Sequence, residues 1–381
     1  MNKIVSLPQV RGIVSAMLGN VLHNKQVLSL GNAVWGAMHS PRLSITCIGR
    51  AYAASAGIFQ RCGVKQVDRI VGSRKVSLTD AFAEYAHMVV GARKRVRVSL
   101  DWTEYDSTDQ SRIAVNLITR HGRATPLVWL TVTKSKMRNR RSSLEKRVLK
   151  LLKHSLDDKV DVEVIADRGF CSTELFKYID KTLRWNYTIR IRSDVTAFEP
   201  THPLGRNVKR MRVVRGARPR KLSGVKLTGK KFHVQSLVLV WDTKMTAPWY
   251  LVSSRDCAPE EIVKTYARRF TCEEQFRDEK DDRFGVGSKE TAVSTNRRRD
   301  MLTLIHALAT VILTLIGEVG ERLGYDTKLR VNTVKRRTHS LYCQGKAYLD
   351  GVHKTYTSLF KETLSLILRE HRQCTDMYGV I

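Results

Sequence analysis

The sequence predicts a mixed α/β protein with helical regions at both ends of its 381 residues. Three observations carry this. Apolar residues recur at helical spacing up to about residue 90, alternate in strand fashion from about residue 95, and return to helical spacing after about residue 258. The middle segment reads β-β-β-α-β-α-β, the order of a mixed sheet with helices packed on it. Residues 193–250 interrupt that pattern with Gly, Pro, short strands and a dense block of basic residues.

In the helical region 1–90, "VLSLGNAVWGAM" (27–38) has helical apolar spacing, and Pro41 marks a turn. Ser44 is placed to cap a second helix, "ITCIGRAYAASAG", that stops near Gly57. With Arg50 exposed, this pair reads either as a helix-turn-helix-like DNA reader or as an ordinary helical hairpin. Strands follow at "RVRVSLDW", ending near Asp101, at "RIAVNLITR" and at "TPLVWLTVTK", the last two joined by the turn "HGRA". An amphipathic helix is expected at 142–156, a strand at 161–170 that ends in Asp167, a helix at 172–183 and a strand at 186–192. The domain division is 1–90, 91–192, 193–250, 251–320 and 321–381, the last a further helical region.

Charge narrows the function. The chain carries 67 Lys and Arg against 36 Asp and Glu, a net +31. Such an excess attracts polyanions, nucleic acid first. No basic amphipathic anchor or lipidation signal points to a membrane. The apolar run 301–317 is short for a span and reads as a buried core helix, with His306 as a core histidine. The start has no clean signal-peptide pattern, and seven scattered cysteines read as reduced thiols of a cytoplasmic protein. Within 206–231 there are eleven Lys and Arg and no acid, which makes Arg218, Arg220 and Lys221 candidate phosphate contacts, unless the block is a disordered loop. "GVKLTGKK" (224–231) misses the phosphate-cradling pattern, because Lys231 stands where a Ser or Thr should reach magnesium, so no nucleotide site is expected.

The segment "APEEIVKTYARRFTCEEQFRDEKDD" (258–282) concentrates the chemistry. Pro259, Glu260 and Glu261 suit a first helical turn. On one continuous helix, Tyr266, Arg269, Glu273 and Lys280 fall within a fan of about 60°. They share that side with Ile262, Phe270 and Phe276, while Gln275, Asp278, Glu279 and Asp282 face away. An inward Glu273 needs compensation. Arg269 and Lys280 could supply it by ion pairing. Alternatively, Glu273 joins Asp101 and Asp167, and three carboxylates hold two divalent cations that clamp a phosphodiester. An all-oxygen site suits Mg2+.

The spacing Tyr266-x2-Arg269-x3-Glu273-x6-Lys280 resembles the Y-R-E-K signature of bacterial insertion-sequence transposases, cut-and-paste enzymes of the Asp-Asp-Glu class. "DWT" (101–103) and "DRGF" (167–170) are similar to the segments that carry their first two catalytic acids. The resemblance implies a ribonuclease H-like mixed-sheet catalytic core with a β-rich insertion. It implies Asp101, Asp167 and Glu273 as catalytic metal ligands, with two Mg2+ ions that Mn2+ can replace. Tyr266, Arg269 and Lys280 would hold DNA phosphates, and Trp249 in "APWYLVSS" would stack on a flipped base, unless it is a core tryptophan. The implied activity is hydrolysis at element ends, then transfer of the 3′-hydroxyls to target DNA by a homodimer assembled on terminal inverted repeats. Alternatives are a structure-specific nuclease on the same core, or an inactive transposase-derived DNA-binding protein.

Overall fold

The structure, a computed structural model, describes residues 4–119, 122–280, 287, 291–331, 333–335 and 337–351, without the side chains of 278 and 280. His121 of the expected turn, the Asp278 and Lys280 side chains, Asp282 and residues 352–381 lie outside the described residues.

Five helices open the chain: α1 (Leu7–Leu18), α2 (Asn24–His39), α3 (Ile45–Ala56), α4 (Gln60–Gly72) and α5 (Leu78–Val90). Ser44 caps α3 by accepting from Cys47 N, and Gly57 ends it at φ 67°, a left-handed conformation that glycine adopts without a Cβ penalty. α2 and α3 pack together as the expected pair, and α3 packs in turn on α4. A three-residue turn starting at Gly57 links α3 to α4, and these two cross so closely that a Cβ on Gly63 would sit 2.3 Å from Gly49 O. Arg61, Lys65 and Arg69 then recur every fourth residue on the exposed face of α4.

The central sheet contains β1 (Arg95–Tyr105), β2 (Gln110–Leu117), β3 (Thr125–Thr133), β4 (Asp161–Ala166), β5 (Asn186–Arg190), β8 (Arg220–Leu222), β11 (Ser236–Val240) and β12 (Trp249–Ser253). Their spatial order is β3-β2-β1-β4-β5-β12-β11-β8. β1, β4 and β5 run parallel, and every other neighbouring pair is antiparallel. Helices α6 (Arg141–Ser155) and α7 (Thr173–Lys177) connect β3 to β4 and β4 to β5. The mixed α/β fold therefore stands as the periodicity predicted it.

The expected insertion 193–250, with β12 running three residues past it to Ser253, does two things. Strands β8, β11 and β12 extend the central sheet, whereas β6 (Thr196–Glu199), β7 (His202–Asn207), β9 (Val225–Leu227) and β10 (Phe232–Val234) form a separate four-stranded sheet. The near-miss phosphate loop is the β9–β10 hairpin, with Thr228 and Lys231 at positive φ.

Helix α10 (Asn296–Arg322) is long and apolar enough to cross a membrane, yet 94% of its apolar window is buried inside the protein. It packs against α2, α4, β3 and α11 (Leu341–Leu349), as the core-helix reading of 301–317 expected. His306 is buried beside the Tyr342 ring.

Candidate active site

Strand register brings the first two acids together. β1 and β4 pair in parallel up to Leu100 and Ala166, so Asp101 and Asp167 are the next residue on each strand. Neighbouring strands lie about 4.8 Å apart, which seats the two acids side by side. Asp101 is not the end of its strand as expected: β1 runs on to Tyr105, paired there only with β2. Asp167 directly follows the end of β4, and its Oδ1 accepts from Gly169 N at 2.8 Å, capping the turn Arg168–Phe170.

The third acid arrives on a helix that is not continuous. α8 (Pro259–Ala267) stops, and α9 (Phe270–Lys280) restarts after Arg268 and Arg269. The join is held by i→i+3 bonds: Arg268 N to Thr265 O, Arg269 N to Tyr266 O, Thr271 N to Arg268 O and Cys272 N to Arg269 O. Such a turn advances about 20° more per residue than an α-helix, so α9 is rotated out of the phase that α8 would continue. Gln275 and Glu279, expected to face away, are buried with Cys272 and Phe276. Phe270, expected inward, is 47% exposed, and the Glu273 side chain lies at the margin, also 47% exposed. Of the four residues expected inward, Tyr266 and Arg269 are buried, Glu273 lies at the margin and the Lys280 side chain lies outside the described residues, so the phase of one continuous helix fails within α9.

Arg269 ties the acids together. Its Nη1 donates to Asp101 Oδ2 at 3.1 Å and its Nη2 to Glu273 Oε1. Burial pushes the Asp101 carboxyl up to about 6; Arg269 opposes this, and the nearby Asp167 and Glu273 carboxylates reinforce it. Tyr266 is buried, in a cluster with Ile118, Ile165, Val238, Leu251 and Ile262. Burial raises its phenol, partly offset by Arg269 and Arg190.

Among the described residues, no group of three His, Cys, Asp or Glu side chains stands close enough to hold a metal ion. The cation now facing Asp101 and Glu273 is the Arg269 guanidinium. The donor set nevertheless fits a hard divalent ion: its oxygens are all carboxylate, and neighbouring negative charge raises the proton affinity of Asp101.

The family model described as Transposase DDE domain matches residues 105–312, more than half of the chain. The chain belongs to the DDE transposases. The match includes Asp167 and Glu273 and begins just after Asp101. A search of curated proteins found no match. The family acts on DNA and generally uses divalent metal ions.

The remaining candidates of the transposase divide. Trp249, at the start of β12, is half-buried, neither a closed core residue nor a free platform. Its ring meets Tyr266 edge-on at 5.0 Å and stacks near Phe270 at 6.2 Å, with the Arg190 guanidinium 5.9 Å from its centroid. Arg220 and Lys221 lie on β8, at the far edge of the sheet. Four strand spacings place them roughly 19 Å from β4. Arg218 and Arg220 are exposed and carry no ion pair among the described residues. Lys221 is committed elsewhere, to Asp256 and to Cys257 O at 3.1 Å.

Sequence reasoning missed two clusters of the transposase. Arg112 on β2 and Glu279 on α9, each 1% exposed, form a bidentate pair at 2.7 Å. Near Asp101, Glu145 on α6 accepts from Trp102 Nε1 at 3.2 Å and from Arg141 Nε at 3.3 Å. The i,i+4 spacing of Arg141 and Glu145 was the available signal for the second. Nothing local marked the first.

Proposed function

We propose that this transposase cuts DNA at the ends of an insertion sequence and joins the freed 3′-hydroxyls to a target, and that it is of the Y-R-E-K type. The observation that carries the reading is the bridge from Arg269 to both Asp101 and Glu273, acids 172 positions apart in sequence, with Asp167 next to Asp101 in register. This supports a site of three carboxylates, two supplied by neighbouring parallel strands and one by a helix, which is what this chemistry requires. Asp101, Asp167 and Glu273 would hold two Mg2+ ions, with Mn2+ able to substitute. The bound ions would supply an activated nucleophilic oxygen and charge neutralisation at the leaving oxygen.

The protein's own groups position the DNA. Arg269 offers a planar fork to a phosphate once its carboxylate partners turn to the cations, and Lys280 offers a point charge. Tyr266, held rigid in its apolar cluster, fixes the wall against which Trp249 and Phe270 stand. The exposed basic face of α4 in region 1–90 suits the major groove of the terminal repeats. Joining two ends calls for two protomers on DNA.

The test is direct. Purified protein is incubated with duplexes carrying the inverted repeats that flank its gene, with Mg2+ or Ca2+. Asp101→Asn, Asp167→Asn and Glu273→Gln should each abolish cutting while gel-shifted complexes persist, and Glu274→Gln should cut normally. Wild-type cleavage without joining would reduce the activity to that of a nuclease, and cleavage by Glu273→Gln would remove Glu273 from the site.

A further inference from the structure

We propose that Arg141 binds a phosphate of the DNA strand that crosses Asp101 and Asp167, and that Glu145 is the positioning residue that holds it ready. The inference rests on the DNA-cutting reading and adds a recognition group outside the Y-R-E-K positions.

Arg141 opens α6, and its Nε donates to Glu145 Oε1 one turn on. Glu145 is 4% exposed and is itself anchored by the Trp102 indole. The guanidinium carbon of Arg141 lies 5.3 Å from the Trp102 ring centroid and 6.0 Å from that of Phe170. Both rings belong to the acid-bearing segments: Trp102 follows Asp101 directly, and Phe170 closes the turn that Asp167 caps. A Cβ built on Gly169 would lie 3.8 Å from Arg141 Nη2 and 3.0 Å from Asp167 Oδ1, so the outer edge of the guanidinium shares a side with that carboxylate.

Arg141 nevertheless makes no ion pair with Asp167 among the described residues, and its side chain is 53% exposed. One nitrogen is spent on Glu145, and the guanidinium lies beside the Trp102 and Phe170 rings. Neither terminal nitrogen donates a hydrogen bond among the described residues, and Glu145 is the sole acid paired with the side chain there. A free exposed arginine must lose rotamer entropy when it binds, whereas this one is already ordered in a planar fork that matches a phosphate. Gly169 contributes by omission, since it leaves the space between fork and carboxylate open.

The experiment replaces single phosphates around the cut by neutral methylphosphonates, one per duplex. Dissociation constants and single-turnover cleavage rates are measured for wild type, Arg141→Ala, Arg141→Lys, Glu145→Ala and Glu145→Gln. Wild type should lose about tenfold or more at one position, the scale of a charged hydrogen bond. Arg141→Ala should show that loss on the unmodified duplex and no further loss at that position. Arg141→Lys, with charge but no fork, should fall between them. Glu145→Ala should flatten the same position, and Glu145→Gln, which keeps the acceptor, should restore it. If Arg141→Ala still loses the full factor at every phosphate that wild type senses, the proposal is overturned. Wild type that binds the ends without cutting them would instead overturn the cleavage reading, while the binding profile still decides the role of Arg141.

Discussion

Breaking the Arg112–Glu279 pair should cost the protein more stability than any other single ion pair described. Arg112 Nη1 and Nη2 each meet one Glu279 oxygen at 2.7 Å, and Tyr105 OH donates to Oε1 at 2.9 Å. Burial alone would raise the Glu279 carboxyl, yet the Arg112 charge and hydrogen bonds bring it down to about 2 from the ordinary 4.5. A folded-state value below the unfolded one contributes stability above about pH 4.5, which is lost as pH falls through about 2. The difference corresponds to about 3 kcal/mol at neutral pH. That agrees with the roughly 3–5 kcal/mol typical of removing one partner from a buried pair. Arg112→Met should therefore lower the free energy of urea unfolding by that amount at pH 7. The acid dependence should also invert: a buried Glu279 without its cation prefers to be protonated, so the variant should gain stability as pH drops from 7 towards 5. Arg112→Met with Glu279→Leu should recover most of the loss, because matched apolar replacements remove both desolvation costs. Glu279 lies on the same helix as Glu273, so Arg112→Met should also slow end cleavage more than it weakens end binding. A loss below about 1 kcal/mol with an unchanged pH profile would refute the reasoning, since a fully buried carboxylate cannot lose its cation so cheaply.

Three further outcomes follow from the site. Neutralising Arg218 and Arg220 should reduce the magnitude of the log K against log salt slope by about 0.9 per phosphate contact, whereas Lys221→Gln should leave it unchanged because Asp256 already holds that ammonium. Trp249→Ala should spare first-strand nicking and slow the opposite-strand step, with partial rescue by an abasic nucleotide near the cut; wild-type kinetics with a lowered melting temperature would assign the ring to packing on Tyr266. Replacing Arg61, Lys65 and Arg69 on α4 by Gln should erase the preference for terminal repeats over random duplex, read from competition gel shifts, while cleavage of a forced high-concentration complex persists.

What the sequence determined by itself was local. Alternation over "RVRVSLDW" and "TPLVWLTVTK" specified strands, and Ser44 and Gly57 bounded α3, because pleat, cap and left-handed turn each depend on a few adjacent residues. The three acids were legible as candidates because residue type and spacing carry that chemistry without knowledge of packing. Tertiary structure decided the rest. The i→i+3 turn at Arg268–Arg269 rotated α9, turning Glu279 inward and leaving Glu273 at the margin, and a helical wheel cannot foresee a phase change made by contacts elsewhere. The partner of Arg112 lies 167 positions away, on an element whose face was misassigned, so no local pattern could pair them. Lys221 looked like one more cation in a basic block until the fold brought Asp256 to it. Side-chain chemistry is written in the sequence, but which charges meet depends on long-range burial, where an unpaired charge is too costly to leave.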